Sequence, residues 1–475
     1  MKKSFMGVRL KRLRDERQLT QAALAGRLGI SLSYLNQLEN NQRPLTVPVL
    51  LALNAAFGLD VQMFAEDDEA RLISDLREAL SDPALGETIA TAELRELALN
   101  MPAVGRVLVG LNQKYRRALE QTAALAARLG EDRQAEATIL PSTPFEEVRD
   151  FFYAQHNYFP VLDEAAEAMG ARMQQRVGQP MPALQTYLTQ HHGISVVIDA
   201  VDDLASGTQR RFDPRTRTIY LSPRLRPGQQ AFQLGTQIAM LALDSELRDL
   251  VDKAGLTSND ARGLARIGLA NYFASALILP YTQFLEAAEQ RRYDIDLLGH
   301  QFGVGFETVC HRLSTLQRPG ARGISFFFIR VDRAGNISKR QSATDFHFSR
   351  VGGTCPLWNV YEAFASPGRI LTQLARMPDE RTYLWIARTV SHGRGGYGAP
   401  GKSFAVALGC DVRHAERIVY SQGLDTTDPS SATPIGVGCK VCERLACPQR
   451  AFPAVGRDLT IDDTRTRFAP YATSM

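Results

Sequence analysis

The stretch from Leu19 to Arg43 limits the possible folds more than any other part of the chain. Thr20 is placed to cap a helix that has Gln21 in its first turn, and Gly29 to end that helix in a tight turn. Ser31 is placed to cap a second helix running to Asn40. Two short helices around a glycine-containing turn make a helix-turn-helix unit. Leu10, Leu13, Leu19, Ala23, Leu24, Leu28, Ile30, Leu35 and Leu38 give it an apolar core, and residues 7–57 predict four or five short helices. In such a unit the second helix enters the DNA major groove and turns its early residues to the base edges. Here those residues are Ser31, Ser33, Tyr34, Asn36 and Gln37. Asn and Gln side chains bond adenine bidentately. Gln21 and Arg43 fall where phosphates are held, contacts that position a protein without reading sequence.

The charge distribution agrees. The chain has 475 residues and a net charge of only +4. Residues 1–45 hold nine basic and three acidic side chains, so this block is +6 and the remainder is −2. Residues 61–140 hold 14 acidic and nine basic side chains and are rich in Ala, Leu, Glu and Arg, which predicts a helical connector or dimerisation arm. At roughly 100–200 residues per domain the length implies two to four domains. No apolar run approaches the roughly 18–20 residues of a membrane span. Nothing apolar follows the N-terminal lysines as a secretory leader would require. All six cysteines lie at position 310 or later, unlike a secreted disulfide scaffold. The expectation is a cytoplasmic protein with no membrane partner.

Four regions follow. They are a helix-turn-helix head (residues 1–60), a helical connector (61–143), an α+β middle domain (144–320) and an α+β, cysteine-rich C-terminal domain (321–475). Helical spacing runs through 145–169, 228–243 and 258–279. Strand patterns occur at 194–198, 217–221, 324–331, 382–390 and 404–408.

The head, through Leu10-Lys11-Arg12-Leu13-Arg14, Leu19-Thr20-Gln21, Leu24-Ala25, Gly29-Ile30-Ser31 and Tyr34 to Asn40, resembles the XRE/phage-repressor family. That resemblance implies a double-stranded operator of two-fold symmetry and a homodimer. The segment Phe232 to Met240, with Ala270-Asn271-Tyr272-Phe273-Ala274 and Leu277-Ile278-Leu279-Pro280, resembles the ImmA/IrrE zinc-peptidase-like domains. Those domains carry His-Glu-x-x-His, two histidines on one helix face that bind zinc, with the glutamate as base. Thr236, Gln237 and Met240 stand at the matching positions, and Gly268 and Leu269 where a further glutamate is expected. A degenerate domain without its metal, and no peptidase activity, is the expectation. Such a domain is suited to binding a ligand. Phe151, Phe152, Tyr153, His156, Tyr158 and Phe159 form an aromatic run, and Arg149, Arg210, Arg211, Arg215 and Arg217 are candidate phosphate forks. Arg149, Phe152, Tyr153, Tyr158, Arg210, Arg211 and Tyr272 are the residues expected at a ligand.

Cys439, Cys442 and Cys447 are spaced to grip one metal centre, with Cys410 or Cys355 as a fourth ligand. Cys410 is the first choice. Spacing leaves zinc, an iron–sulfur cluster and redox thiols open. Cys310, in a helical context, reads as a core thiol. Gly353 to Asn359, Gly409-Cys410-Asp411 and Gly436 to Pro453 resemble the C-terminal domain of the short-chain fatty acyl transcriptional regulators. This group includes regulators of methylcitrate-cycle and of acetate/glyoxylate genes. The resemblance implies a CoA or short-chain acyl-CoA effector and a [4Fe–4S] cluster at these cysteines. It leaves a second reading in which the cluster, as a redox or iron sensor, is the primary signal.

Gly396 to Ser403 matches the phosphate-loop pattern by letters, with Lys402 as its lysine. That loop must open a helix, whereas Phe404 to Leu408 alternates like a strand. A hairpin loop and no nucleotide hydrolysis are expected, and the chain is read as a non-enzyme.

Overall fold

The computed structural model describes residues 7–40, 42–43, 46–57, 67–80, 89–129, 144–199, 207–344, 354–392 and 401–436. Beyond these it describes Gly438, Cys439, Cys442, Arg444, residues 447–451, Pro453, Ile461 and Thr464.

The described residues of the head form α1 (Gly7–Glu16), α2 (Gln21–Leu28), α3 (Leu32–Glu39) and α4 (Val47–Phe57). Their core is Leu10, Leu13, Leu24, Ala25, Leu28, Leu35, Leu38, Val49 and Leu53. Thr20 Oγ1 accepts from the Ala23 N–H, and Ser31 Oγ from the Tyr34 N–H, so both expected caps form. Gly29 ends α2 at φ 66°, a backbone state that a β-carbon disfavours.

The connector holds α5 (Asp67–Leu80), α6 (Thr91–Asn100) and the long α7 (Pro102–Leu129). Leu72, Leu76, Leu94 and Ala98 make its small core.

The middle domain is mostly helical. It contains α8 (Pro144–Ala154), α9 (Pro160–Arg172), α10 (Met181–His192), α11 (Pro227–Ala242), α12 (Asp244–Lys253), α13 (Asn259–Ile278), α14 (Tyr281–Gln290), α15 (Ile295–Phe302) and α16 (Phe306–Leu313). The helix expected over 145–169 is two, because His156 and Asn157 take positive φ and Pro160 starts a new one. Strands β1 (Ser195–Ile198), β2 (Arg210–Asp213) and β3 (Thr218–Leu221) form a sheet of order β1-β3-β2, with β1 parallel and β2 antiparallel to β3.

The C-terminal domain adds β4 (Phe327–Val331), β5 (Ile337–Ser342), α17 (Asn359–Glu362), β6 (Leu371–Arg376), β7 (Thr382–His392), β8 (Lys402–Asp411) and β9 (Thr433–Pro434). The sheet order is β5-β4-β8-β7-β6-β9. Alternation along its strands sends successive side chains to opposite faces. Phe328, Leu384, Ile386, Val406, Leu408 and Cys410 join the core of the middle domain. Phe327, Ile329, Trp385, Ala405 and Ala407 pack instead with Trp358, Val360, Cys355 and Ile435. The boundary near residue 320 therefore separates element types but not cores. β7 and β8 pair antiparallel from Tyr383 with Asp411 to His392 with Lys402. Lys402 thus begins a strand, as a hairpin requires; residues 393–400 of the phosphate-loop look-alike lie outside the described residues.

Among the described residues no single helix is long and apolar enough to cross a membrane. The apolar pair α13 and α14, bent by 61°, supplies the centre of the middle core.

Candidate DNA-reading helix and cysteine pocket

α3 presents Ser31, Ser33 and Asn36 to solvent and leaves Tyr34 and Gln37 half-buried, while Leu35 and Leu38 anchor it from below. Asn36 Oδ1 accepts from Asn40 Nδ2 at 2.9 Å, which orients its amide. Arg43 is exposed and stands 5.7 Å from the centre of the Tyr34 ring. Gln21, expected at a phosphate, is half-buried, and its Nε2 donates to Glu39 Oε2 at 2.7 Å. Glu39 is buried and also accepts from Arg14 Nε at 2.7 Å. A buried carboxylate needs such partners, so Arg14, Gln21 and Glu39 tie α1, α2 and α3 together. Sequence reasoning gave no role to Glu39 or Arg14. Leu32, on the first turn of α3, is 51% exposed and was also missed.

The C-terminal pocket is lined by Cys355, Cys439, Cys442 and Cys447, with Gly436, Gly438, Arg444 and Arg450. Cys355 precedes α17, and the other three follow β9. Cys410 is elsewhere, which corrects the first choice of fourth ligand. It lies on β8 with its thiol fully buried in the core shared with the middle domain, where burial pushes its pKa far up. The cause is period-two alternation: residues 404, 406, 408 and 410 share the face opposite the pocket. Cys310 is a buried core thiol. Around the pocket, the Gly436 N–H donates to Cys355 Sγ at 3.4 Å. A β-carbon on Gly436 would stand 2.6 Å from Cys442 Sγ, so a larger residue there would have to displace the thiol. Arg450 donates to the carbonyls of Cys439 and Cys442 at 3.1 and 3.0 Å, which ties these two positions to one guanidinium. Burial raises the Cys355 thiol to about 11 and also raises Cys442. Such thiols are poor free nucleophiles, whereas a bound cation favours the thiolate. The donor set and the cradle fit a thiolate-held centre. Among the described residues no three His, Cys, Asp or Glu side chains are grouped to hold a single metal ion. The pocket is therefore a set of candidate ligands and not an assembled centre.

On α11, Thr236 and Gln237 are buried. Thr236 Oγ1 approaches Asn271 Oδ1 at 3.1 Å. A β-carbon at Gly268 would lie 3.0 Å from the Phe152 ring.

Three profiles match successive parts of the chain: a helix-turn-helix (residues 10–64), an IrrE N-terminal-like domain (189–314) and the C-terminal domain of the short-chain fatty acyl coenzyme A regulators (315–471). The chain is 50% identical over 474 residues to the HTH-type transcriptional regulator PrpR of Mycobacterium tuberculosis, covering 99% of this chain and 96% of that one. It belongs to the short-chain fatty acyl coenzyme A regulators. It is also 44% identical over 469 residues to the propionyl-CoA carboxylase regulator of Cereibacter sphaeroides, covering 99% and 98%. A solved Mycobacterium tuberculosis transcriptional regulator superposes with a TM-score of 0.67 at 54% identity, over 70% of this chain and all of that one. Members of this family named as transcriptional regulators, joined to a helix-turn-helix, agree with the non-enzymatic expectation. The middle domain is IrrE-like.

In this family member the residues expected at an effector lie in different settings. Arg149, half-buried on α8, pairs with Asp150. Tyr153 is half-buried on the same helix. Phe152 packs edge-on against Phe151 and Phe159, with ring centres 5.5 and 5.1 Å away. Arg210 Nη1 donates to the Gln233 carbonyl at 2.7 Å, and burial lowers its pKa. Arg211 is exposed, 4.8 Å over the Tyr220 ring. Tyr158 and Tyr272 have their hydroxyls engaged within the protein. The Tyr272 hydroxyl donates to Asp163 at 2.5 Å, and the Tyr158 hydroxyl accepts from Arg318 Nε at 3.2 Å. Both are buried and serve a polar network around Asp163, which no sequence pattern had singled out.

Proposed function

We propose that this chain is a cytoplasmic, DNA-binding transcriptional regulator of propionate or other short-chain fatty acyl metabolism. Its head reads a two-fold operator as a pair. Its middle and C-terminal domains, which share one core, respond to CoA or a short-chain acyl-CoA. The middle domain is a zinc-peptidase-like fold that has lost its metal. The observation that carries the DNA reading is a doubly capped helix-turn-helix whose second helix keeps Ser31, Ser33 and Asn36 exposed. Near full-length similarity to the propionyl-CoA carboxylase regulator supports the metabolic side.

Cys355, Cys439, Cys442 and Cys447 would hold a [4Fe–4S] cluster, for which four cysteine thiolates are the ordinary ligand set. Bound there, the cluster would supply a redox-sensitive staple between the α17 segment and the C-terminal loop. Arg450 bonds the carbonyls of Cys439 and Cys442, and the Trp358 indole N–H donates to the Gly436 carbonyl at 3.0 Å.

A second reading makes the cluster the primary signal. It is supported by Cys447, which is half-buried while the other three cysteines of the pocket are buried. Operator binding measured anaerobically and after air exposure, with and without propionyl-CoA, separates the two. The first reading expects affinity to follow the acyl-CoA in both atmospheres. Affinity that follows the atmosphere and ignores the acyl-CoA supports the second reading and overturns the first.

A further inference from the structure

We propose that Leu32, on the first turn of α3, selects operators by packing against the C5 methyl group of a thymine. This role rests on the DNA-binding reading and deepens it, because it names the base that an apolar side chain on this helix takes.

The head otherwise hides its large apolar side chains. Leu10, Leu13, Leu24, Leu28, Leu35, Leu38, Val49 and Leu53 are buried, and Leu19, Ile30 and Phe57 are half-buried against them. Leu32 is 51% exposed. A single leucine at a protein surface is ordinary; position is what distinguishes this one. Ser31 Oγ caps the helix by accepting from the Tyr34 N–H, which fixes the first turn and with it the Leu32 backbone. At roughly 100° per residue Leu32, Asn36 and Ser33 fall within about 100° of arc. All three are exposed, while Leu35 and Leu38 on the other side hold the helix to the core. Leu32 thus stands on the edge that carries the proposed base readers, one turn before Asn36. The first turn of α3 holds no acidic side chain, although an acid is what favours a helix start. Leu32 belongs to neither the cap nor the core.

The chemistry of the base edges identifies the ligand. In the major groove thymine alone carries a methyl group; the other bases offer donors and acceptors there. Leucine has neither a donor nor an acceptor. A guanine, adenine or cytosine edge pressed against it would lose water and gain no partner. Against thymine the leucine removes apolar surface from water, and one buried methyl group corresponds to about fourfold in affinity. One turn of α-helix advances about 5.4 Å and one base pair about 3.4 Å. The thymine is therefore expected within about two base pairs of the adenine read by Asn36.

The test uses the full-length protein and an operator selected from a random double-stranded pool. Each thymine of one half-site is replaced in turn by deoxyuridine, which keeps the pairing edge and O4 of thymine and lacks only the methyl group. Affinities are read by fluorescence anisotropy. The parent is expected to bind about fourfold more weakly when one particular thymine loses its methyl group. Leu32→Ser is expected to bind the thymine and deoxyuridine forms alike, with an unchanged thermal midpoint because the side chain is exposed. Leu32→Gln gives the same reading at nearly the original length, should the serine disturb folding. Leu32→Met keeps an apolar side chain of similar reach and is expected to keep the methyl dependence. A merely structural role would weaken binding to both forms equally and leave the methyl dependence in place. A parent that binds its operator with no thymine sensitive to methyl loss would overturn the proposal. So would a sensitivity that persists in folded Leu32→Ser and Leu32→Gln. Either result leaves the DNA reading standing. A parent that enriches no sequence from the pool overturns both.

Discussion

Asn36 and Gln37 are the side chains proposed to read base edges. Asn36 is exposed, and its amide is oriented by Asn40. Replacing either by Ala is expected to weaken binding to a selected operator by about 1–3 kcal/mol, with relaxed preference at one adenine position. Site selection from a random pool checks this, and unchanged preference removes the residue from the reading set. At the cysteine pocket two variants divide the ligand question. Cys355→Ser is expected to abolish the brown absorbance of anaerobically prepared protein, whereas Cys410→Ser retains it. Retained colour in the first would contradict the ligand assignment. The placing of Cys410 was open to sequence reasoning, since it continues the alternation of residues 404 to 408. The proximity of Cys355 was not, because 84 residues separate it from Cys439 and only the folded sheet brings them together.

Among the elements, α9 and α16 are joined by a fully buried ion pair. Arg312 donates to both Asp163 oxygens at 2.8 and 3.1 Å and to the Leu279 carbonyl at 3.0 Å. Burial alone would lower the Arg312 pKa, but Asp163 more than offsets it and the guanidinium stays charged. Removing one partner strands the other charge, a cost of about 3–5 kcal/mol. Arg312→Leu is therefore expected to lower stability by that amount in denaturant unfolding. Arg312→Leu with Asp163→Leu is expected to cost less than the single change. Equal losses would show that packing and not stranded charge sets the cost. The helices themselves were legible: α11 and α13 begin and end within a residue of their expected limits. The network inside them was not. Arg312 and Asp163 are 149 residues apart, and neither belongs to a local pattern.

For the whole molecule, the shared core matters most. α16 lies against β4 and β5 with Glu307 paired to Arg330 at 2.8 Å and the His311 ring against Phe328 at 5.9 Å. A ligand bound on either side of this joint would act on one packed body, which is how a ligand in one domain biases another. Burial, and then the cations Lys339, Arg312 and Arg330, hold the His311 pKa well below the usual imidazole range. The folded chain keeps His311 neutral, while the unfolded chain takes a proton near pH 6.5. Stability is unaffected above that pH and falls as the pH drops below it. Thermal midpoints between about pH 7.5 and 5.5 are expected to fall less in His311→Asn than in the parent; parallel slopes would remove this joint as an acid-sensitive point. The head shows the same division at this scale. Its grammar and charge were readable from local residues, while the pairing of Gln21 with Glu39 needed three helices in place.

The central claim is that acyl-CoA binding and DNA binding are coupled through one chain. Its most direct test is fluorescence anisotropy of the full-length protein on operator DNA selected from a random pool, anaerobically, at increasing propionyl-CoA. The account predicts a shift in apparent Kd of at least about fivefold, corresponding to a coupling of about 1 kcal/mol. Binding curves that superimpose across CoA, acetyl-CoA and propionyl-CoA would contradict it.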